Sequence, residues 1–260
     1  MGFTIYYGSR RFLLATPSFA LERMHQPHRH LMTTLLIARK APFHLELADG
    51  TSVTANAALV APKIPRRRLI AQDSDLIILG MPIQSPEFIA LQPVFGGASI
   101  CVLNEDRISG LRDIVDTAAA GVTSEDAMKQ LFFGVAERIS GNTPKERRLD
   151  TRVVAAMTEL EQLPLCDVSL DALARRCALS ASRLRHLFKD ELGTTVGHFA
   201  RWIAVWRAAL LWKRGLTLTE IAHAAGFHDL SHMNRSFGEV FGFSPSVLID
   251  RRAVTLVRCS

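Results

Sequence analysis

At 260 residues, with 48% hydrophobic and 22% charged side chains, the chain has room for two ordinary globular domains. No run approaches about 18 consecutive apolar residues, which argues against a membrane span, and the opening MGFTIYYGSRRFLLATPSF lacks the layout of a signal peptide. The four cysteines (Cys101, Cys166, Cys177, Cys259) show no CxxC spacing, so reduced thiols in a cytoplasm are expected; the net charge of +6 leaves nucleic acid open as a partner.

Residues 1–90 read as β structure. The run FHLEL from Phe43 alternates apolar with polar, Asp49-Gly50 is a hairpin dipeptide, and Ser52-Val53-Thr54 alternates on the far side. Short apolar runs at Ala57–Ala61 and Leu76–Met81 are separated by the basic segment from Lys63 to Arg68, and Pro62, Pro65 and Pro82 suit strand ends. Short strands with turns between them, and no helical spacing, predict a small barrel or sandwich.

From residue 105 the period changes. Leu111, Ile114, Val115 and Ala118 recur at helical spacing, and Ser124 is placed to cap a helix with Met128, Leu131, Phe132, Val135 and Ile139 on one face. Such helices either cover the β domain or build a dimer interface. The segment SGNTPKERRLD, Ser140 to Asp150, is polar and contains Gly and Pro, the composition of a linker.

Everything beyond reads helical. Val153, Val154, Met157 and Leu160 mark one helix, stopped before Pro164. Ser169 caps another, with Leu170, Leu173 and Ala174 inward. Ser180 caps a third, which runs from Ser182 to Leu192 and ends at Gly193. It turns Leu184, Leu187, Phe188 and Leu192 inward and Ser182, Arg185, His186 and Lys189 outward. A continuous helix is expected from Val196 to Arg214; its roughly 19 residues span about 28 Å, near the about 34 Å of one DNA turn. Thr217 and Glu220 then have capping-box spacing, Ile221, Ala222 and Ala225 give an apolar face, and Gly226 ends the helix. Asp229 caps the last one, with Met233, Phe237, Val240 and Phe241 on one side and Ser231, Asn234, Arg235 and Gly238 on the other. Two helix-turn-helix motifs joined by a long helix are the result. Residues 151–260 hold 14 Lys/Arg against 10 Asp/Glu, residues 1–150 hold 17 against 15, and an excess in the C-terminal part suits a phosphate-binding surface.

The runs SLDALARRCALSASRLRHLFKDELG (Ser169 to Gly193) and IAHAAGFHDLSHMNRSFGEVFGFSP (Ile221 to Pro245) resemble the AraC/XylS family of bacterial transcription regulators, over about 100 residues. The resemblance implies a multidomain α+β chain. Its parts are a 1–140 cupin-like β barrel or sandwich with trailing helices for regulation and dimerisation, a 141–150 linker, and a 151–260 all-α DNA-binding domain. The recognition helices would be 181–192 and 230–241. Base contacts carried over from the family fall on Ser182, Arg185 and His186, then on Leu230, Ser231, His232 and Arg235; Arg grips a guanine edge in a bidentate way. Arg183, Lys189, Arg201 and Lys213 are the phosphate-contact candidates. Implied partners are double-stranded promoter DNA, RNA polymerase, a small-molecule effector and a second copy of the chain, all in the cytoplasm. An activator is the family's implication, with repression left open. The family usually carries a basic residue near Gly238, an arginine where this chain has Ala204, aromatics near His232 and Met233, and an aromatic-Arg pair near Leu248 and Ile249. Gly238 inside a helix costs about 1 kcal/mol against Ala.

Other chemistry is thinly represented. His25, His28 and His30 contain the H-x-H pair of a cupin metal site, but no Glu follows closely and the later position reads Pro65-Arg66-Arg67-Arg68. Arg66, Arg67 and Arg68 are candidates for an anionic effector. There is no G-x-S-x-G, phosphate-cradling glycine loop or Cys/His zinc spacing, so neither an enzyme, a cofactor nor a metal is expected. The alternative is a cupin-type metalloenzyme with an appended helical regulatory domain, which stoichiometric bound metal with turnover would favour.

Overall fold

Alternation of apolar and polar side chains becomes, in the computed structural model, a pair of sheets. The structure describes residues 3–8, 10–21, 31–83, 85–122, 124–211, 215–241, 245–246 and 254–259. Its strands are β1 (Phe3–Gly8), β2 (Arg11–Thr16), β3 (Phe19–Leu21), β4 (Met32–Ala38), β5 (Phe43–Leu47), β6 (Ser52–Ala55), β7 (Ala57–Val60), β8 (Arg66–Ala71), β9 (Leu76–Pro82), β10 (Ile100–Val102) and β11 (Val254–Arg258). One sheet runs β10-β7-β4-β9-β2-β1-β11 and the other β3-β8-β5-β6. The hairpin expected at Asp49-Gly50 joins β5 to β6, with Gly50 at φ 88°.

All seven residues of β4 are buried, since one sheet face meets the second sheet and the other meets helices. The covering helices are α1 (Pro86–Phe95), α2 (Glu105–Ser109), α3 (Arg112–Ala120) and α4 (Glu125–Ser140). Ser124 caps α4 by accepting from the Ala127 N–H, and Met128, Leu131, Phe132, Val135 and Ile139 join Leu35, Ile37, Leu59 and Leu79 in one core. That stripe is consumed by covering the sheet, the first of the two roles expected for these helices. Helix α1 corrects the reading of residues 1–90 as free of helix. Its signal is the Ser85 cap followed by Pro86 at the first turn, where the missing N–H costs nothing.

The chain divides into two compact units, Met1–Glu146 with Asp250–Ser260, and Arg147–Ile249. The expected domain at 151–260 therefore loses its last segment, because β11 lies parallel to β1, with Phe3 opposite Val254 through Tyr7 opposite Arg258. Behind it the Cys259 N–H donates to the Tyr7 carbonyl at 2.9 Å and its Sγ to the Val122 carbonyl at 3.0 Å, with Cys259 1% exposed. The apolar run AVTLVRC follows no turn signal, which is why helical context masks it.

The second unit holds α5 (Thr151–Gln162), a 3-10 turn at Leu165–Asp167, α6 (Leu170–Arg176), α7 (Ala181–Leu192), α8 (Val196–Leu211), α9 (Leu218–Ala224) and α10 (Leu230–Phe241). Helix α5 buries Val153, Ala156, Met157 and Leu160, whereas Val154, one of the residues that mark it, is 46% exposed. Helix α8 is described over 16 residues, about 24 Å, matching the expected helix as far as Leu211. Residues 212–214, with the candidate Lys213, lie outside the described residues, as do His25, His28, His30, Leu248 and Ile249. Among the described residues, no helix is long and apolar enough to cross a membrane.

Candidate nucleic-acid interface

Each helix-turn-helix is set by its caps. Ser169 and Ser180 hydroxyls accept from the Ala172 and Arg183 N–H groups at the starts of α6 and α7, and Gly193 ends α7 at φ 62°. In the second motif the capping box is complete: the Glu220 N–H donates to Thr217 Oγ1, and the Thr217 N–H to Glu220 Oε2 at 2.7 Å. Asp229 Oδ1 accepts from the His232 N–H at 2.6 Å and starts α10. That bond holds the Asp229 carboxyl below the usual range, with smaller pulls from Arg235 and His228. Helix α9 closes on Ala225, and Gly226 follows as the left-handed residue of the turn, at φ 85°.

The turn is also a packing point. The Gly226 carbonyl accepts from the Cys166 N–H at 2.8 Å, and a Cβ on Gly226 would lie 2.2 Å from Leu165 N. Arg207 of α8 donates to the Leu163 and Glu161 carbonyls at 2.9 and 2.8 Å, closing the end of α5. Neither tie is visible in the sequence, since both join residues more than 40 positions apart.

A file of rings connects the two motifs through α8. Phe188 of α7 stands 5.5 Å from Phe199, Phe199 is 5.9 Å from Trp202, and Trp202 is 6.4 Å from Trp206. Trp206 then meets Phe241 of α10 at 5.1 Å, and Phe241 meets Phe237 at 5.7 Å. Edge-to-face pairs at such distances add to the burial of the rings. The orientations of α7 and α10 are therefore fixed by one core rather than by two independent ones.

The exposed faces carry the candidates unevenly. On α7, Ser182, Arg183, Arg185, His186 and Lys189 are all exposed, opposite buried Leu184, Leu187 and Phe188. Arg183 lies close enough to Asp150 to contribute to its low pKa, about 2, which the Arg152 guanidinium chiefly causes. On α10, Ser231 and Arg235 are exposed, while Leu230 and His232 are half-buried. The His232 ring packs edge-on against buried Phe227 at 5.3 Å, a core partner that sequence reasoning misses. Arg201, half-buried on α8, has its Nε 4.0 Å from Glu239 Oε2. Gly238 has no neighbour within 4 Å of an added Cβ, so Gly238→Ala should raise stability by about 0.5–1 kcal/mol in a urea melt.

Of the three arginines offered for an anionic effector, Arg66 is 3% exposed, while Arg67 is exposed beside Glu46 at 3.4 Å. The sequence suggests a segment between strands, but all three belong to β8. A register shift at Glu46/Leu47 turns Arg66 inward with Leu47 and places Arg68 opposite Glu46. The three do not converge.

A family model described as a helix-turn-helix domain matches residues 173–251. The transcriptional activator RhaR of Salmonella typhimurium is 29% identical over 105 residues, which are 40% of this chain and 36% of that protein. The second unit is similar to the helix-turn-helix part of such regulators. The match spans about a third of the length of such curated relatives. Across both units the chain is similar in fold to ToxT from Vibrio cholerae O395, at 14% identity, with 86% of this chain and 90% of that one covered and a TM-score of 0.54. Apo ToxT from strain SCE256 gives 16% identity, 91% and 96% coverage and a TM-score of 0.59. At such identities the likeness establishes the fold alone: a sheet-rich first unit and a helical second unit.

Proposed function

We propose that the chain is a sequence-specific DNA-binding transcription regulator acting in the cytoplasm. Helices α7 and α10 read successive major-groove segments, with Ser182, Arg185 and His186 on the first and Leu230, Ser231, His232 and Arg235 on the second. The observation that carries the reading is the exposed basic face of α7 and the exposed Ser231 and Arg235 of α10, held by one ring core through α8. Arg183, Lys189, Arg201 and Lys213 contact phosphate, Arg201 after release from Glu239. His232 contributes through its packing on Phe227 as much as through its ring edge.

The first unit regulates this binding by taking up a small-molecule effector and by pairing with a second copy. Promoter-bound protein then contacts RNA polymerase. An effector shifts occupancy only by its difference in affinity between the two states. The test is selection of bound sites from random duplex DNA, followed by titration across salt. Log K should fall linearly with log[salt], and Lys189→Ala should weaken all sequences alike and flatten the slope by about 1. A flat salt dependence sinks the proposal.

A further inference from the structure

We infer that the first unit binds a zwitterionic amino acid with an apolar side chain, in the cavity that the ends of β4, β7 and β10 form with α2 and α3. The inference rests on the effector reading above and gives it a site and a ligand class. The cavity measures about 390 Å³, within the range of pockets that take small molecules. Its floor is apolar: Ile37 and Ala38 come from the end of β4, Ile108 from α2 and Leu111 from the turn after it, all at most 8% exposed. Its rim carries two cations, Arg39 and Lys40, two acids, Glu105 and Asp116, and the amide of Asn56. A rim with no net charge but local charges of both signs complements a ligand built the same way.

Strand register sets these groups around a small gap. The Ala38 N–H donates to the Asn56 carbonyl at 2.7 Å, and the Leu103 N–H to the Ala57 carbonyl at 3.0 Å. The chain therefore leaves three neighbouring strands side by side, at Arg39, Asn56 and Glu105. With about 5 Å between strands, Arg39 and Glu105 stand roughly 10 Å apart at the backbone, and Asn56 lies between them. Arg39 pairs with Asp116 of α3, and Lys40 with Asp75 at 2.8 Å. Those pairs hold both cations in place without exhausting them, since a guanidinium has five N–H donors and an ammonium three. The Glu105 carboxylate and the Asn56 amide have no partner among the described residues. A ligand ammonium donates to Glu105 and the Asn56 Oδ1, and its carboxylate accepts from Arg39 and Lys40, with neither ion pair broken. The apolar side chain then lies on Ile37, Ile108 and Leu111. A simple carboxylate or a simple amine satisfies one side of the rim and leaves the other unmatched.

The test titrates the full chain calorimetrically with leucine and phenylalanine, then with glycine, isocaproate and isoamylamine, which lack the side chain, the ammonium and the carboxylate of leucine in turn. At least one of the two amino acids should bind, and the three truncated compounds should bind at least about 10-fold more weakly. Glu105→Gln and Arg39→Met should each weaken the amino acid by about 5–30-fold, while Arg67→Met on β8 leaves it unchanged. Both rim residues are exposed, so these variants should melt with the wild-type chain. Asn56→Leu, which disturbs neither ion pair, should weaken binding as well. Binding of neither amino acid, binding of isocaproate or isoamylamine as tight as that of leucine, or an affinity unmoved by Glu105→Gln would overturn the site. Amino-acid binding by a chain that selects no DNA leaves the site and removes the regulator reading; DNA selection by a chain that binds neither amino acid does the reverse.

Discussion

Replacing both Arg185 and Arg235 with alanine should weaken binding to the selected DNA site by about 2–6 kcal/mol, the sum of about 1–3 kcal/mol at each. In affinity that is roughly 30-fold to 10⁴-fold. The two residues lie on different motifs and both are exposed, so the losses should add and the fold should stay intact. Each arginine presents a planar fork that matches the acceptor pair of guanine in the major groove, and no shorter side chain replaces it. Repeating the site selection with each single variant should relax preference at one position per variant, at separations set by the ring core. Unchanged selected sequences in both variants would remove these residues from base recognition. A normal melting curve separates lost contact from lost fold.

Gly226→Ala should cost about 2–5 kcal/mol of stability and abolish DNA binding with it. Two penalties combine: a left-handed backbone costs a side chain about 1–2 kcal/mol, and overpacking costs about 1–3 kcal/mol more. The second applies because the added methyl would lie 2.2 Å from Leu165 N and 2.8 Å from the Pro164 carbonyl carbon, which are backbone atoms that cannot swing aside. The contrast with Gly238→Ala, expected to stabilise, makes the measurement internal to one protein and one urea titration. A Gly226→Ala midpoint equal to wild type would mean that the turn relaxes freely, against the close contact described.

Local rules leave clear traces in the residues. The caps at Ser124, Ser169, Ser180 and Thr217, the glycines after α7 and α9, and the apolar stripes of α4, α7 and α10 each follow from spacings of a few positions. What stays hidden depends on partners far apart in the chain. Arg207 reads as one more cation on a long helix until α5 ends against it, and Phe227 reads as a turn residue until His232 stacks on it. Arg66 looks like its neighbours because a bulge, which resets the two-residue period, has no signature in RRR. Val154 shows the converse: an apolar residue that marks a helix simply faces solvent.

The strand β11 makes the DNA-binding unit an insertion within the fold of the first unit rather than an appendage. Both ends of that insertion, at α4 and at β11, are fastened to the same scaffold, the second through a parallel ladder to β1 and the buried Cys259. A fragment ending at residue 140 loses this second anchor and bares the β1 edge, so its self-association would report a raw strand edge rather than the intact protein's own pairing.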